Sequence, residues 1–159
     1  MFKSIKKAQQ GFTIIELLIV IAIIAILAGL VLNNFQGAQA KARDTQRVTD
    51  LNNIHSKLEE YHNENGAYPN TFTSATFPGI DAQSLVDPRG NSIVITAAGA
   101  ADATAAATAA APTATNNYAY VAYPTGCTTD CTGYVLETYI EKPSATTPNP
   151  TTKLGLNNN

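Results

Sequence analysis

Between Phe12 and Leu32 the sequence has no lysine, arginine or aspartate, and Glu16 is the one charge in those 21 residues. A helix of that length rises roughly 30 Å, the thickness of a bilayer core. Proline is absent from 12 to 68, so nothing breaks a helix there. Catalytic signatures are missing as well. There is no P-loop, no GxSxG, and no recognisable pairing of a nucleophile with a base. His55 and His62 are seven apart, not the four that chelates zinc on a helix. Asp81, Asp87, Asp102 and Asp130 lack EF-hand spacing, although a calcium site in the outer part of the chain stays open. Cys127 and Cys131, four apart with no histidine nearby, make a poor zinc pair. The polar remainder is rich in Ala, Thr and Asn. These absences exclude a soluble enzyme with a large core, and they call for no cofactor or metal.

Basic residues are also scarce outside the first ten positions, which hold Lys3, Lys6 and Lys7. The rest of the chain has seven basic and twelve acidic residues, a net of −5, and offers no footprint for nucleic acid. Lysines before the span and none just after it keep the N-terminus cytoplasmic and put residues beyond about 33 outside. Both cysteines then lie on the outer side, where a disulfide between them is compatible with the compartment.

A secretory signal would have an apolar region of 7–15 residues closed by an A-x-A-like site. Here the run is longer, no such site closes it, and the basic region ends at Gly11. Hydropathy alone reads as an uncleaved anchor. Gly11, Phe12 and Glu16 add detail that an anchor does not need.

The stretch "GFTIIELLIVIAIIAILAGL" closely resembles the N-terminal signature of the type IV pilin and pseudopilin family. The resemblance is good over about the first 70 residues. It implies that a prepilin peptidase cuts after Gly11 on the cytoplasmic side, that Phe12 becomes the N-methylated terminus, and that Glu16 is the signature carboxylate. It also implies a homopolymer raised from the inner membrane by a platform protein and an assembly ATPase. Physics supplies a reason for Glu16. The new amine on Phe12 is cationic, and a buried amine and a buried carboxylate each cost less as a pair than alone. Glu16 of one subunit can neutralise Phe12 of the next and set the register. The rival is a Glu16 that merely snorkels to the headgroups. Many family members have a proline near the position of Asn33; this chain has none, and Gly29, Asn33, Asn34 and Gly37 are the weak helix formers there.

Apolar residues continue at spacings of three and four through Phe35, Ala38, Ala42, Thr45, Val48, Leu51, Ile54, Leu58 and Tyr61. Charges at Lys41, Arg43, Asp44, Arg47, Asp50, Lys57, Glu59 and Glu60 read as the opposite, wet face. One helix is predicted from about 12 to 64, ended by the "NENGAYP" segment with Gly66 as cap and Pro69 beyond. "VDPRGN" predicts a turn before the short strand "SIVIT", and this D-P-x-G-N segment resembles the head of G-type pseudopilins. Residues 97–115, nearly all Ala and Thr, read as an exposed, mobile insertion. "YAYVAY" (118–123) and "YVLETYIE" (134–141) predict a hairpin whose tip carries the two cysteines.

The expected fold is α+β and pilin-like: a long N-terminal helix, hydrophobic in its first half and amphipathic in its second, packed on a small antiparallel sheet. The expected divisions are a cleaved leader (1–11), a transmembrane or filament-core helix (12–33), an amphipathic helix (34–65), a β head (66–141) and a disordered tail (142–159). The expected function is that of a structural subunit of a type IV pilus. Its rivals are a pseudopilin of a type II secretion-like or DNA-uptake system, and a signal-anchored binding module that never polymerises.

Overall fold

The structure, a computed structural model, describes residues 11–77, 79–97, 99–114 and 118–157. The leader expected at 1–11 therefore lies outside the described residues, Gly11 excepted. Two compact units divide the chain, Met1–Gln39 and Ala40–Asn159, and helix α1 (Ile14–Asn65) contributes to both.

In the first unit α1 begins where Thr13 caps it. The Thr13 hydroxyl accepts from the Glu16 amide at 3.2 Å, and the Thr13 carbonyl accepts from Leu17 N at 3.2 Å. Threonine suits this position because its oxygen satisfies an orphan helix donor. From there the helix is apolar all round, and its large side chains are exposed on every side. A helix with no polar face needs an apolar surrounding. This one is long and apolar enough to cross a membrane.

The second unit has three layers. A four-stranded sheet in the order β1 (Val94–Thr96), β2 (Tyr118–Tyr123), β3 (Gly133–Thr138), β4 (Thr151–Leu154) separates the Ala40–Asn65 part of α1 from a short helix, α2 (Ala103–Ala110). On one sheet face Tyr120, Tyr134 and Leu136 pack with Leu51, Ile54 and Leu58 of α1. On the other, Ala119, Val121 and Val135 pack under Ala106 and Ala110 of α2. Burial on both faces explains why every residue of β2 and β3 is buried. The C-terminus of α1 closes as the sequence predicts: Gly66 takes a φ of +77°, and its N–H donates to the His62 carbonyl at 2.7 Å.

Four expectations are corrected. The sheet is mixed: β1 runs parallel to β2, while β2–β3 and β3–β4 are antiparallel. A parallel pair needs a crossover of about a dozen residues or more. The chain between β1 and β2 supplies it, and the alanine-rich segment expected to be an exposed, mobile insertion instead carries helix α2, packed on the sheet. The Asp102 carboxylate caps α2 by accepting from Ala105 N at 2.9 Å, and Ala106 and Ala110 are buried against the sheet. The tail is not disordered over 151–154, because β4 pairs with β3 there, with Thr138 opposite Thr151 and Val135 opposite Leu154.

The fourth correction concerns the helix face. Leu51, Ile54 and Leu58 are buried as expected. Upstream of them Ala42 and Thr45 are exposed, whereas Ala40, Asp44, Arg47 and Asp50 are buried. The stripe keeps helical spacing but is built of charge, because ionic partners wait for it on the facing loops.

Candidate functional site

The residues assigned by resemblance sit together at the start of α1. Gly11 is exposed ahead of the helix, Phe12 is 88% exposed, and Glu16 occupies the first turn. A carboxylate there faces the positive end of the helix dipole. The sequence Thr13-Ile14-Ile15-Glu16 has the spacing of a capping box, a signal that the motif reading passed over. Glu16 thus has a local duty at the helix start besides any duty toward a neighbour.

A second constellation holds the head on α1. Arg43 grips Glu141 with two hydrogen bonds, Nε to Oε1 at 2.8 Å and Nη2 to Oε2 at 2.7 Å. Arg47, fully buried, donates from Nη1 to Asp44 Oδ1 and to Glu141 Oε1, both at 2.8 Å. Arg89 reaches Glu141 Oε2 at 2.7 Å. Asp44 in turn accepts from the backbone N–H groups of Glu141 (2.9 Å) and Lys142 (2.8 Å). The hydrogen bonds from Arg43, then those from Arg47, hold the Glu141 carboxyl down at about 2 against the opposing effect of burial. Three arginines face Asp44, Asp87 and Glu141, so the cluster is balanced in charge.

The D-P-R-G-N turn belongs to this cluster. Asp87 O accepts from Gly90 N at 2.8 Å, its side chain accepts from Asn91 N at 2.6 Å, and Gly90 has a φ of +89°. That conformation suits glycine alone among common residues. Asp87 Oδ2 stands 3.6 Å from Arg47 Nη2. The turn therefore places one carboxylate against the buried guanidinium and one guanidinium, Arg89, against Glu141. Sequence reasoning placed Arg43, Asp44 and Arg47 on a wet face. Their partners across the fold, Asp87 and Glu141, are remote in sequence, and no local spacing announces them.

A third group lies toward the end of α1. Glu59, also expected in solvent, accepts from Tyr68 Oη (2.9 Å), Tyr134 Oη (3.0 Å) and the Leu156 amide (3.2 Å). His55 Nδ1 lies 2.7 Å from Tyr134 Oη, and burial pushes its pKa down. His62 contacts Asn157 at 3.2 Å. Both histidines are helix-face residues with separate partners.

Cys127 and Cys131 are disulfide-bonded. The Cys131 carbonyl accepts from Tyr68 N at 2.9 Å, so the hairpin tip is tied to the segment that follows α1. The four aspartates considered for calcium are dispersed: Asp81 caps a 3-10 turn, Asp87 serves the turn above, Asp102 caps α2, and Asp130 accepts from Thr128 N. Among the described residues no group of three His, Cys, Asp or Glu side chains is placed to hold a metal.

A membrane-length apolar helix leading into a head of mixed sheet and helix defines an α+β, pilin-like architecture. The family description "Prokaryotic N-terminal methylation motif" matches residues 6–32, so the chain carries a prokaryotic N-terminal methylation motif. It is similar to "Type II secretion system core protein G" of Dickeya chrysanthemi, 38% identical over 66 residues, which are 42% of this chain and 43% of that protein. The protein of the same name from Vibrio cholerae is 38% identical over 69 residues, 43% of this chain and 47% of that one. "Fimbrial protein EcpC" of Eikenella corrodens is 36% identical over 95 residues, 60% of each chain. The chain thus spans less than half the length of the secretion proteins it matches. No solved structure matches it significantly.

Proposed function

We propose that this protein is a structural, non-catalytic subunit of a type IV pilus or pseudopilus, stored in a membrane and polymerised through its N-terminal helix. One observation carries the reading. The helix is apolar on every side for the length of a bilayer, yet it carries a single carboxylate one turn in, four residues after Phe12. A lipid anchor gains from that charge only a better helix start, whereas a polymer also gains a register device. In this reading the peptidase cuts after Gly11, Phe12 is methylated, and Glu16 neutralises the Phe12 amine of the adjacent subunit. The N-terminus is cytoplasmic, the head lies outside the inner membrane, and a platform protein and ATPase drive assembly.

The D-P-R-G-N turn favours the pseudopilin form, in which the filament serves secretion. The longer similarity to a fimbrial protein favours a surface pilus. Intact mass of the protein from producing cells, together with the yield of sheared filaments, tests the assignment. The expected chain starts at a methylated Phe12 and is found in filaments. A chain that keeps its leader in the presence of the peptidase overturns the family role, and a processed chain confined to membranes leaves only the anchored module.

A further inference from the structure

Among the described residues of Ala40–Asn159, the exposed large apolar side chains are Val94, Leu154 and Leu156. Val94 lies on β1 and Leu154 on β4, the two edge strands, and Leu156 follows two residues after Leu154. The apolar surface that the head leaves uncovered is therefore concentrated at opposite edges of one sheet, about 14 Å apart at the usual strand spacing.

The two edges have different shapes. Beside β1 lies an open groove of about 600 Å³, floored by Phe72, Leu85, Val86, Ile93 and Ile95 and rimmed by polar residues such as Ser74 and Gln83. At the β4 edge two leucines project. Backbone bonds hold that segment in place: Gly155 N donates to Tyr134 O at 3.3 Å and Leu156 N to Glu59 Oε1 at 3.2 Å. The leucines are thus held on an ordered segment, at little further ordering cost on docking.

We infer that Leu154 and Leu156 of one copy seat in the groove beside β1 of the next copy. This rests on the filament reading and adds a contact between heads to it. A projection on one edge and a groove on the other cannot satisfy each other within one chain. Between copies they form a heterologous contact, which repeats without closing and generates a linear or helical array. The groove has an apolar floor and no charged lining residue, as leucine side chains require.

Two experiments on the full-length protein test this. Gln83→Cys and Leu156→Cys are combined in one chain, and sheared filaments are treated with a short bismaleimide, which spares the native disulfide. A ladder of covalent oligomers is expected with the pair and not with either single variant. Separately, Leu156→Asp and Ser74→Arg are each expected to lower filament yield about tenfold. Both positions are solvent-exposed, so membrane level and resistance of the native cysteines to alkylation should match the parent. Parent filaments without the ladder, or undiminished filaments from both variants, overturn the contact and leave the filament reading standing. If Gln83→Cys instead cross-links to a cysteine placed in the Phe12–Leu32 segment, the groove belongs to a neighbour's apolar helix and the contact is also overturned. A parent that never forms filaments overturns both.

Discussion

Glu141 and Arg43 are 98 positions apart in sequence and share two hydrogen bonds, 2.8 and 2.7 Å long. The planar guanidinium matches the carboxylate in both spacing and direction. Because the folded Glu141 carboxyl is held at about 2, well below its ordinary 4.5, the contact's stabilisation is fully present above pH 4.5. It is lost as pH falls from 4.5 through 2. Glu141→Gln should lower stability near neutrality by about 2 kcal/mol, the scale of a hydrogen bond to a charged group, and should flatten the acid limb. Thermal unfolding across pH 2–7 in detergent checks this.

Arg47→Leu should cost more. It removes the buried cation that faces Asp44, Asp87 and Glu141 and leaves carboxylates without their inner partner. Breaking a buried pair from one side costs about 3–5 kcal/mol. Denaturant unfolding of the variant beside Glu141→Gln gives the comparison. Equal losses would show that Arg43 and Arg89 alone hold the cluster.

His55 titrates below its ordinary 6.5, chiefly because it is buried against Tyr134. The unfolded chain therefore takes up its proton first as pH falls. Stability contributed by neutral His55 is complete above about 6.5 and declines below it. An NMR titration of the ring should place its midpoint below that of exposed histidine.

The disulfide closes a loop with a sequence separation of only 4, so its effect on the unfolded chain is about 2 kcal/mol at most. Cys127→Ser with Cys131→Ser should loosen the hairpin tip without unfolding the sheet. Hydrogen exchange is expected to accelerate at the Tyr68 amide, whose acceptor is the Cys131 carbonyl. Uniform loss of protection across β2 and β3 would contradict a local role.

Glu16→Gln should leave membrane association and removal of residues 1–11 unchanged while sharply reducing sheared filaments. In lipid the side chain lies about 6 Å inside the span and reaches the headgroups. Among packed helices the Phe12 cation needs an anion. Normal filaments from the variant would make the pairing dispensable.

The long helix, its glycine cap, the D-P-R-G-N turn and the β2–β3 hairpin are legible because each is encoded by neighbours in sequence. Leu51, Ile54 and Leu58 announce themselves by spacing. Asp44, Arg47 and Asp50 do not, since a charge reads as wet until its partner is known, and Glu141 and Asp87 are remote. Asp50 accepts from Tyr118 Oη at 2.8 Å, a contact 68 positions long. The alanine segment misleads for the opposite reason. Its side chains bury little each, but a parallel β1–β2 pair requires a crossover, and small residues let that crossover lie close to the sheet. Tail residues 151–154 carry a strand pattern too short to stand out, and β3 selects it.

The Arg43–Glu141 and Asp44–Glu141 bonds also decide where a mechanical load enters the head. Ahead of Leu51 along α1, Arg43 and Asp44 hydrogen-bond side-chain and backbone groups of Glu141 and Lys142, beyond the helix itself. A pull on the apolar segment therefore meets several short ionic bonds in parallel before it reaches Leu51, Ile54 and Leu58. Bonds loaded together share the tension and resist rupture better than bonds opened one at a time. The arginine clamp acts as the head's strain relief, and a chain lacking it should yield at lower force by peeling from residue 40 onward.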